Sequence, residues 1–382
     1  MTTTGDDEGI SRAQLLAGAA GLGLAGLAAP AAAAESRRAR SAAPRPRRGV
    51  PLRGVGYEVA DGETPQTSWS AERMRGDLRA IADDLRATSV SVFGDGVERL
   101  TATATAAVER GLHVWLQPRL GDRPPRQILD HLGEVGRQAR ELRRQGARVT
   151  LSVGAEFVLF VPGIVPGADA LERVAVLRSG RFDRRRMQRR LDRFVARAAR
   201  VGRAAFDGPL TYGAAIDERV DWRRFDVVCA NYYPASTRRS DHARDLRPLR
   251  RWGKPVAISE FGTCTYRGAP RAGGLGWDVL DRDGRVRRGL VRSERTQADY
   301  LVALLRSFAT LGLEGAIVYD FVTPDAPHRR DPRQDQDLGS YGIAKAIWGA
   351  PTAPTDHWRW EPKLAYRALA DAFPRTGPVA AG

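Results

Sequence analysis

Eight short β-rich runs recur along this chain, and stretches with apolar residues at helical spacing separate nearly all of them. The runs are 52–58, 89–95, 112–118, 148–157, 210–216, 226–234, 255–262 and 315–321. Most are too continuously apolar for a sheet with one wet face, so they predict strands buried on both sides, as in a parallel sheet. Helical patterns fall at 70–86, where Leu78, Ile81 and Leu85 share a face, and at 97–110, 127–144, 181–203, 241–252, 293–311 and 362–373. After the fifth run only a turn around Trp222 is expected. Strand and helix in eightfold alternation predict α/β architecture, a single (β/α)8 TIM barrel. Two of its loops are long: 160–179 after strand four, and one after strand seven holding a hairpin over 277–287 that turns at Asp283–Gly284. No repeat at solenoid spacing competes.

The N-terminus reads as an address rather than as fold. An Ala/Gly/Leu-rich run from Ala13 to Ala34 ends in Ala32-Ala33-Ala34, a small-residue pattern suited to a signal peptidase. Ser11-Arg12-Ala13-Gln14-Leu15-Leu16 is similar to the twin-arginine export motif, with Ala13 where the second arginine would stand. The expected organisation is a degenerate Tat-like signal peptide over 1–34, an Arg/Pro/Ala linker over 35–49, the barrel over 50–375 and a tail over 376–382. Export by a Tat-like or Sec signal, to the cell envelope or beyond, follows as an expectation. No later stretch is apolar for long enough to span a membrane, so stable insertion after signal removal is not expected.

The formal charge of +16 comes almost wholly from arginine, since lysine occurs only at Lys254, Lys345 and Lys363. The densest run, Arg181 to Arg193, continues into a helix whose Met187, Leu191, Phe194, Val195 and Ala198 share one face. The arginines take the other face, with no interleaved aromatics to stack bases. That arrangement reads as a solvated surface, and no nucleic-acid partner is expected. Cys229 lies in an apolar run and Cys264 follows strand seven; a bridge between them is not expected, and no Cys/His spacing indicates a metal.

Chemistry concentrates where two of the runs end. Pro255-Val256-Ala257-Ile258-Ser259-Glu260-Phe261-Gly262 carries a buried-strand pattern up to a carboxylate, and Arg148 to Phe157 does the same with Glu156. Carboxylates are seldom buried without a partner or a reaction, and in a barrel both would face the C-terminal mouth where such enzymes work. Two strands that each present a glutamate there are what a barrel enzyme with two catalytic carboxylates would need. Asp95, Gln117, Arg119, Asp217, Glu218 and Asp320 also end strands or begin loops and could line the cleft. Trp277, Trp348, Trp358 and Trp360 are candidate platforms for a sugar face.

With those residues placed, the chain resembles the clan A glycoside hydrolases. Ile258-Ser259-Glu260-Phe261-Gly262 looks like that clan's strand-seven signature, and Asn231-Tyr232-Tyr233 is similar to its tyrosine-bearing strand six. Gly339-Ser340-Tyr341-Gly342-Ile343 and Glu361-Pro362-Lys363-Leu364-Ala365-Tyr366 look like its closing loop and last helix. The resemblance implies a retaining hydrolase with Glu260 as nucleophile, Glu156 as acid/base and the two carboxyls roughly 5 Å apart. It implies that Tyr232 or Tyr233 contacts the nucleophile, that Asn231, Gln117, Arg119, Asp95, Asp320 and Trp277 take part in binding a carbohydrate substrate, and that neither metal nor cofactor is needed. The chain departs from the clan at Ala155, where an asparagine usually precedes the acid/base, and at Ser91, near which strand two usually carries an arginine. Strand eight ends in Tyr319-Asp320-Phe321, without the frequent tryptophan. A monomer is expected. The alternatives are a barrel that binds carbohydrate without catalysis and a basic protein that binds an anionic polymer.

Overall fold

The computed structural model describes residues 49–59, 69–216, 218–349 and 358–376. The predicted signal peptide, nearly all of the linker, Asp217 and the tail beyond Thr376 lie outside the described residues.

Eight strands close into a parallel barrel in sequence order: β1 Leu52–Val59, β2 Ser89–Gly94, β3 His113–Pro118, β4 Val149–Ala155, β5 Leu210–Ala215, β6 Val228–Asn231, β7 Val256–Phe261 and β8 Gly315–Val318. β8 returns to β1 through Leu52↔Gly315 to Val55↔Val318. Every residue of β2, β4, β5 and β6 is buried. Side chains fill the interior on one face and the helices cover the other.

The helices are α1 Ala71–Arg79, α2 Val97–Glu109, α3 Pro125–Arg144, α4 Phe157–Phe160, α5 Ala170–Ser179, α6 Arg184–Ala205, α7 Arg239–Arg250, α8 Glu294–Leu311 and α9 Leu364–Arg375. Their starts follow local chemistry: the Ser70, Asp169, Asp183 and Ser293 side chains accept backbone N–H groups that the first turn leaves free. Gly312 ends α8 in the left-handed region, where a glycine meets no Cβ penalty. In α6, Leu191, Phe194, Val195 and Ala198 are buried and Met187 packs beside them, leaving the arginines outward as their spacing predicts. After β5 the chain makes only a short 3-10 turn, Trp222–Arg224.

The β8 connection adds a two-stranded antiparallel ribbon, β9 Ala344–Ile347 with β10 Arg359–Pro362, that periodicity did not reveal. Each strand is four residues long, too short for alternation to register. The hairpin after β7 forms as expected, with Leu280 bridging Val286 and Asp281 accepting the Asp283 and Arg285 N–H groups. That loop and the β8 connection build a second apolar cluster over the barrel mouth, including Tyr233, Cys264, Trp277, Tyr319, Leu338 and Tyr341. Both cysteines are buried and free. Among the described residues no helix is long and apolar enough to cross a membrane.

Candidate active site

β4 ends in a backbone arrangement that few side chains would adopt unaided. Glu156 sits at φ 41°, ψ 53°, the left-handed region, at a cost of about 1 kcal/mol or more for a residue with a Cβ. Its N–H donates to the Gly213 carbonyl at 2.9 Å, and the next N–H, of Phe157, donates to the Tyr212 hydroxyl at 2.7 Å. Gly154 precedes it at φ 143°, where a Cβ would strike the Phe157 ring. The β4–β5 register shifts between Ser152 and Ala155, so the strand bulges as it presents the glutamate.

β7 delivers Glu260 beside β6, with Asn231 in register with Glu260 after a shift in pairing. Gly262 serves close approach rather than an unusual turn: a Cβ there would run into the Tyr319 carbonyl of the neighbouring strand end.

Glu260 is 5% exposed and has two side-chain partners. The Arg119 Nη2 donates to its Oε1, and the Tyr233 hydroxyl donates to its Oε2 at 3.1 Å. Arg119 leaves the end of β3, 5% exposed, with its guanidinium 4.3 Å above the Phe93 ring. Gln117, turned so that its amide oxygen faces this guanidinium, accepts from Nη2 at 2.6 Å and Nε at 3.1 Å. Burial opposes the charge on Arg119, but the fields of Glu260 and Glu58 outweigh it and hold Arg119 above the usual arginine range. Burial, then the charge of Glu260, keeps the Tyr233 phenol well above its ordinary value, so it stays a donor.

Glu156 has a different setting. It is 1% exposed, and Asn231 Nδ2 donates to its Oε1 at 3.1 Å, while Ser259 Oγ fixes that amide by donating to Asn231 Oδ1 at 2.8 Å. Burial raises the Glu156 carboxyl well above the glutamate range, and the charges of Glu260 and Glu218 push the same way; Asn231 and Arg119 act against them. Glu218 is held by the Tyr212 hydroxyl at 2.9 Å and the Ala215 N–H at 3.1 Å. Glu156 thus lies in the field of Glu260, and one carboxyl is answered by a guanidinium and the other by a neutral amide.

The sequence candidates divide. Glu156, Glu260, Asn231, Tyr233, Gln117 and Arg119 come together at one end of the barrel. Tyr232 does not join them: its hydroxyl lies 3.0 Å from His242 Nδ1 and donates to Asp245 Oδ2 at 2.9 Å, on the α7 side of the strand. Successive side chains of a strand take opposite faces, so only one of the two tyrosines can look inward. Asp320 Oδ1 accepts from the Thr323 hydroxyl at 3.4 Å, and among the described residues its Oδ2 makes no hydrogen bond; burial raises it to about 7, with Lys363 acting against and Asp325 with the burial. Asp95 is half-buried with its charge felt by His131. Trp277 is packed in the cluster over the mouth. Trp348 and Trp360 anchor loops by donating to the Pro324 carbonyl and to Asp77, both at 2.7 Å, and Trp358 lies under Arg73. Tyr212, Ser259, Glu58 and Tyr319 are at the site and were not singled out; nothing in local periodicity marks them.

His328, Asp335 and Asp337 bring ligand atoms within 4.8 Å of one another. Arg292 already bonds Asp335 at 3.1 Å and Asp337 at 2.8 Å, and Lys363 bonds Asp337 at 2.8 Å, so these carboxylates belong to a buried ion-pair network.

No protein-family model matches this sequence, and no curated protein matches it. Solved structures do. A GH113 β-mannanase from Alicyclobacillus acidocaldarius, in complex with ManMIm, is 18% identical with a TM-score of 0.51 over 85% of this chain and 99% of that one. Another GH113 β-1,4-mannanase is 15% identical at a TM-score of 0.51, over 85% and 99% of the two chains. A calcium-binding mutant of Bacteroides uniformis β-glucuronidase 2 is 14% identical at a TM-score of 0.54, over 85% of this chain and 35% of that one. At these identities the likeness is one of fold: these enzymes share the closed (β/α)8 barrel.

Proposed function

We propose that this chain, a barrel with the fold of glycoside hydrolases, is itself a retaining hydrolase of O-glycosidic bonds. The observation that carries the reading is the unequal treatment of two interacting buried carboxyls at the ends of β4 and β7. Glu260, accompanied by the positive Arg119, attacks the anomeric carbon as the bond to the leaving oxygen breaks. Glu156, which burial keeps protonated beyond the usual range, gives its proton to that oxygen. The glycosyl-enzyme ester then forms at Glu260. Glu156, now a carboxylate, takes a proton from water, the hydroxide oxygen bonds to the anomeric carbon, and Glu260 departs. Each acid role is reversed in the second half, so protons and bonds balance. Tyr233 holds Glu260 Oε2 and leaves Oε1 oriented by Arg119.

Glu260→Gln should abolish turnover of aryl glycosides in a protein that still folds, at a lower melting temperature because buried Arg119 loses its counter-charge. Glu156→Gln should retain cleavage of a dinitrophenyl glycoside, whose leaving group needs no proton, and azide should accelerate it and yield a glycosyl azide of retained configuration. Full activity in both variants defeats the proposal. The 13–34 run supports action outside the cytoplasm, tested by the N-terminal sequence of the protein recovered from its native host.

A further inference from the structure

Tyr319, at the exit of β8, is 1% exposed, and among the described residues its hydroxyl makes no hydrogen bond. Such a group is costly: an unsatisfied buried hydroxyl forfeits the hydrogen bonds it made to water, and a phenylalanine would fill the same space without that loss. The ring is held from several sides. It stacks on Phe93 at 5.6 Å between centroids and 26° between planes, meets Tyr341 edge-on at 6.0 Å, and its N–H is bonded to the Phe261 carbonyl at 2.8 Å. The phenol therefore cannot swing away to find a partner. The guanidinium carbon of Arg119, which bonds Glu260, lies 6.0 Å from the Tyr319 ring centroid, which places the ring at the same centre as the proposed nucleophile.

The charges around it restrict what it can meet. Arg119 is the buried cation at this centre, and Glu260 and Gln117 already engage it. Besides Arg119, the groups that act on the Tyr319 hydroxyl include the acidic Glu58 and Glu260. A second anionic group placed there would be desolvated against like charge. A neutral hydroxyl could instead accept from Tyr319 and donate to a carboxylate.

Resting on the hydrolase reading above, we propose that the sugar bound at Glu260 is a neutral, polyhydroxylated unit rather than a uronate, and that Tyr319 donates its O–H to one of that unit's hydroxyls. Mannanases and a glucuronidase share the fold, so fold leaves this choice open and the charges at the mouth make it.

The test compares the wild type with Tyr319→Phe on 4-nitrophenyl glycosides of neutral hexoses and of uronic acids, with monodeoxy forms of the best substrate. Melting curves run alongside, as does binding of 1-deoxynojirimycin and its manno analogue by calorimetry. The expected results are turnover of a neutral glycoside over its uronide, an unchanged or higher melting temperature for Tyr319→Phe, and a loss of about tenfold or more in kcat/KM. That loss should vanish for the one deoxy substrate lacking the matched hydroxyl. Uronide preference, or a Tyr319→Phe variant as active as wild type on every substrate, overturns the inference while leaving the hydrolase reading intact. Absence of both turnover and iminosugar binding in the wild type defeats the hydrolase reading and this inference with it.

Discussion

Arg119 and Glu260 are joined by a buried ion pair across 141 residues of chain, so the end of the third strand orients the carboxylate at the end of the seventh. Two strands that are not neighbours in the barrel thereby share one functional group. The positive charge that the clan A resemblance would seek on strand two, where this chain has Ser91, reaches Glu260 from strand three.

That pair can be broken from one side. Arg119→Met leaves Glu260 buried without its cation, which for such pairs costs about 3–5 kcal/mol. A fall of several degrees or more in melting temperature is expected together with at least a hundredfold loss of kcat. Arg119→Lys keeps the charge but not the fork that also engages Gln117, and should lie between. A methionine variant with wild-type kcat would remove Arg119 from the mechanism.

The acid role proposed for Glu156 has a pH signature. Its carboxyl is raised in the folded chain, so the folded state holds a proton that the unfolded state releases once pH passes the ordinary glutamate value. The sign follows: its contribution to stability is complete below that ordinary value and is lost as pH rises toward the folded one. Wild-type stability should therefore decline over that interval relative to Glu156→Gln. The kcat/KM profile of the wild type should show an alkaline limb that the variant lacks. Parallel stability curves would contradict a raised Glu156.

Asn231 lowers the Glu156 carboxyl through its 3.1 Å hydrogen bond. Removing that bond lets burial act with less opposition. In Asn231→Ala the alkaline limb of kcat/KM should move to higher pH, with kcat reduced about tenfold as the carboxyl loses its orientation. A limb that stays in place or moves down would mean that Asn231 does not set the state of Glu156.

The two adjacent tyrosines should separate cleanly. Tyr233→Phe removes the donor to Glu260 Oε2, and kcat should fall tenfold or more with little change in melting temperature. Tyr232→Phe removes bonds to His242 and Asp245 on the helix side, so about 1 kcal/mol of stability should go while kcat stays near wild type. Equal kinetic effects in both variants would contradict the opposed faces.

Asp320 is raised to about 7, well above the ordinary aspartate value, mainly by burial. By the same sign rule, its contribution is complete below about pH 4 and is lost as pH rises to about 7. Asp320→Asn should abolish that decline, read as a melting temperature that varies less between pH 4 and 7 than the wild type's. An unchanged profile would show that Asp320 carries no proton in that range.

The sequence by itself determined the barrel, because a strand buried on both faces and a helix buried on one leave different periodicities, and eight alternations of the two allow few closures. It also determined that Glu156 and Glu260 stand at the C-terminal ends of their strands, and that the arginines of α6 face outward. Tertiary structure alone decided which groups meet those glutamates. Tyr232 and Tyr233 are chemically alike, and register assigned one to Glu260 and the other to His242. Asp320 follows a strand end as Glu260 closes one, yet its carboxyl meets the Thr323 hydroxyl and no guanidinium among the described residues. Arg119 finds Glu260 because the ends of strands three and seven meet at one rim, and there the Tyr319 hydroxyl is left unbonded among the described residues. Local pattern reports how a residue is buried; partners come from closure of the barrel, which brings distant strand ends within hydrogen-bond reach.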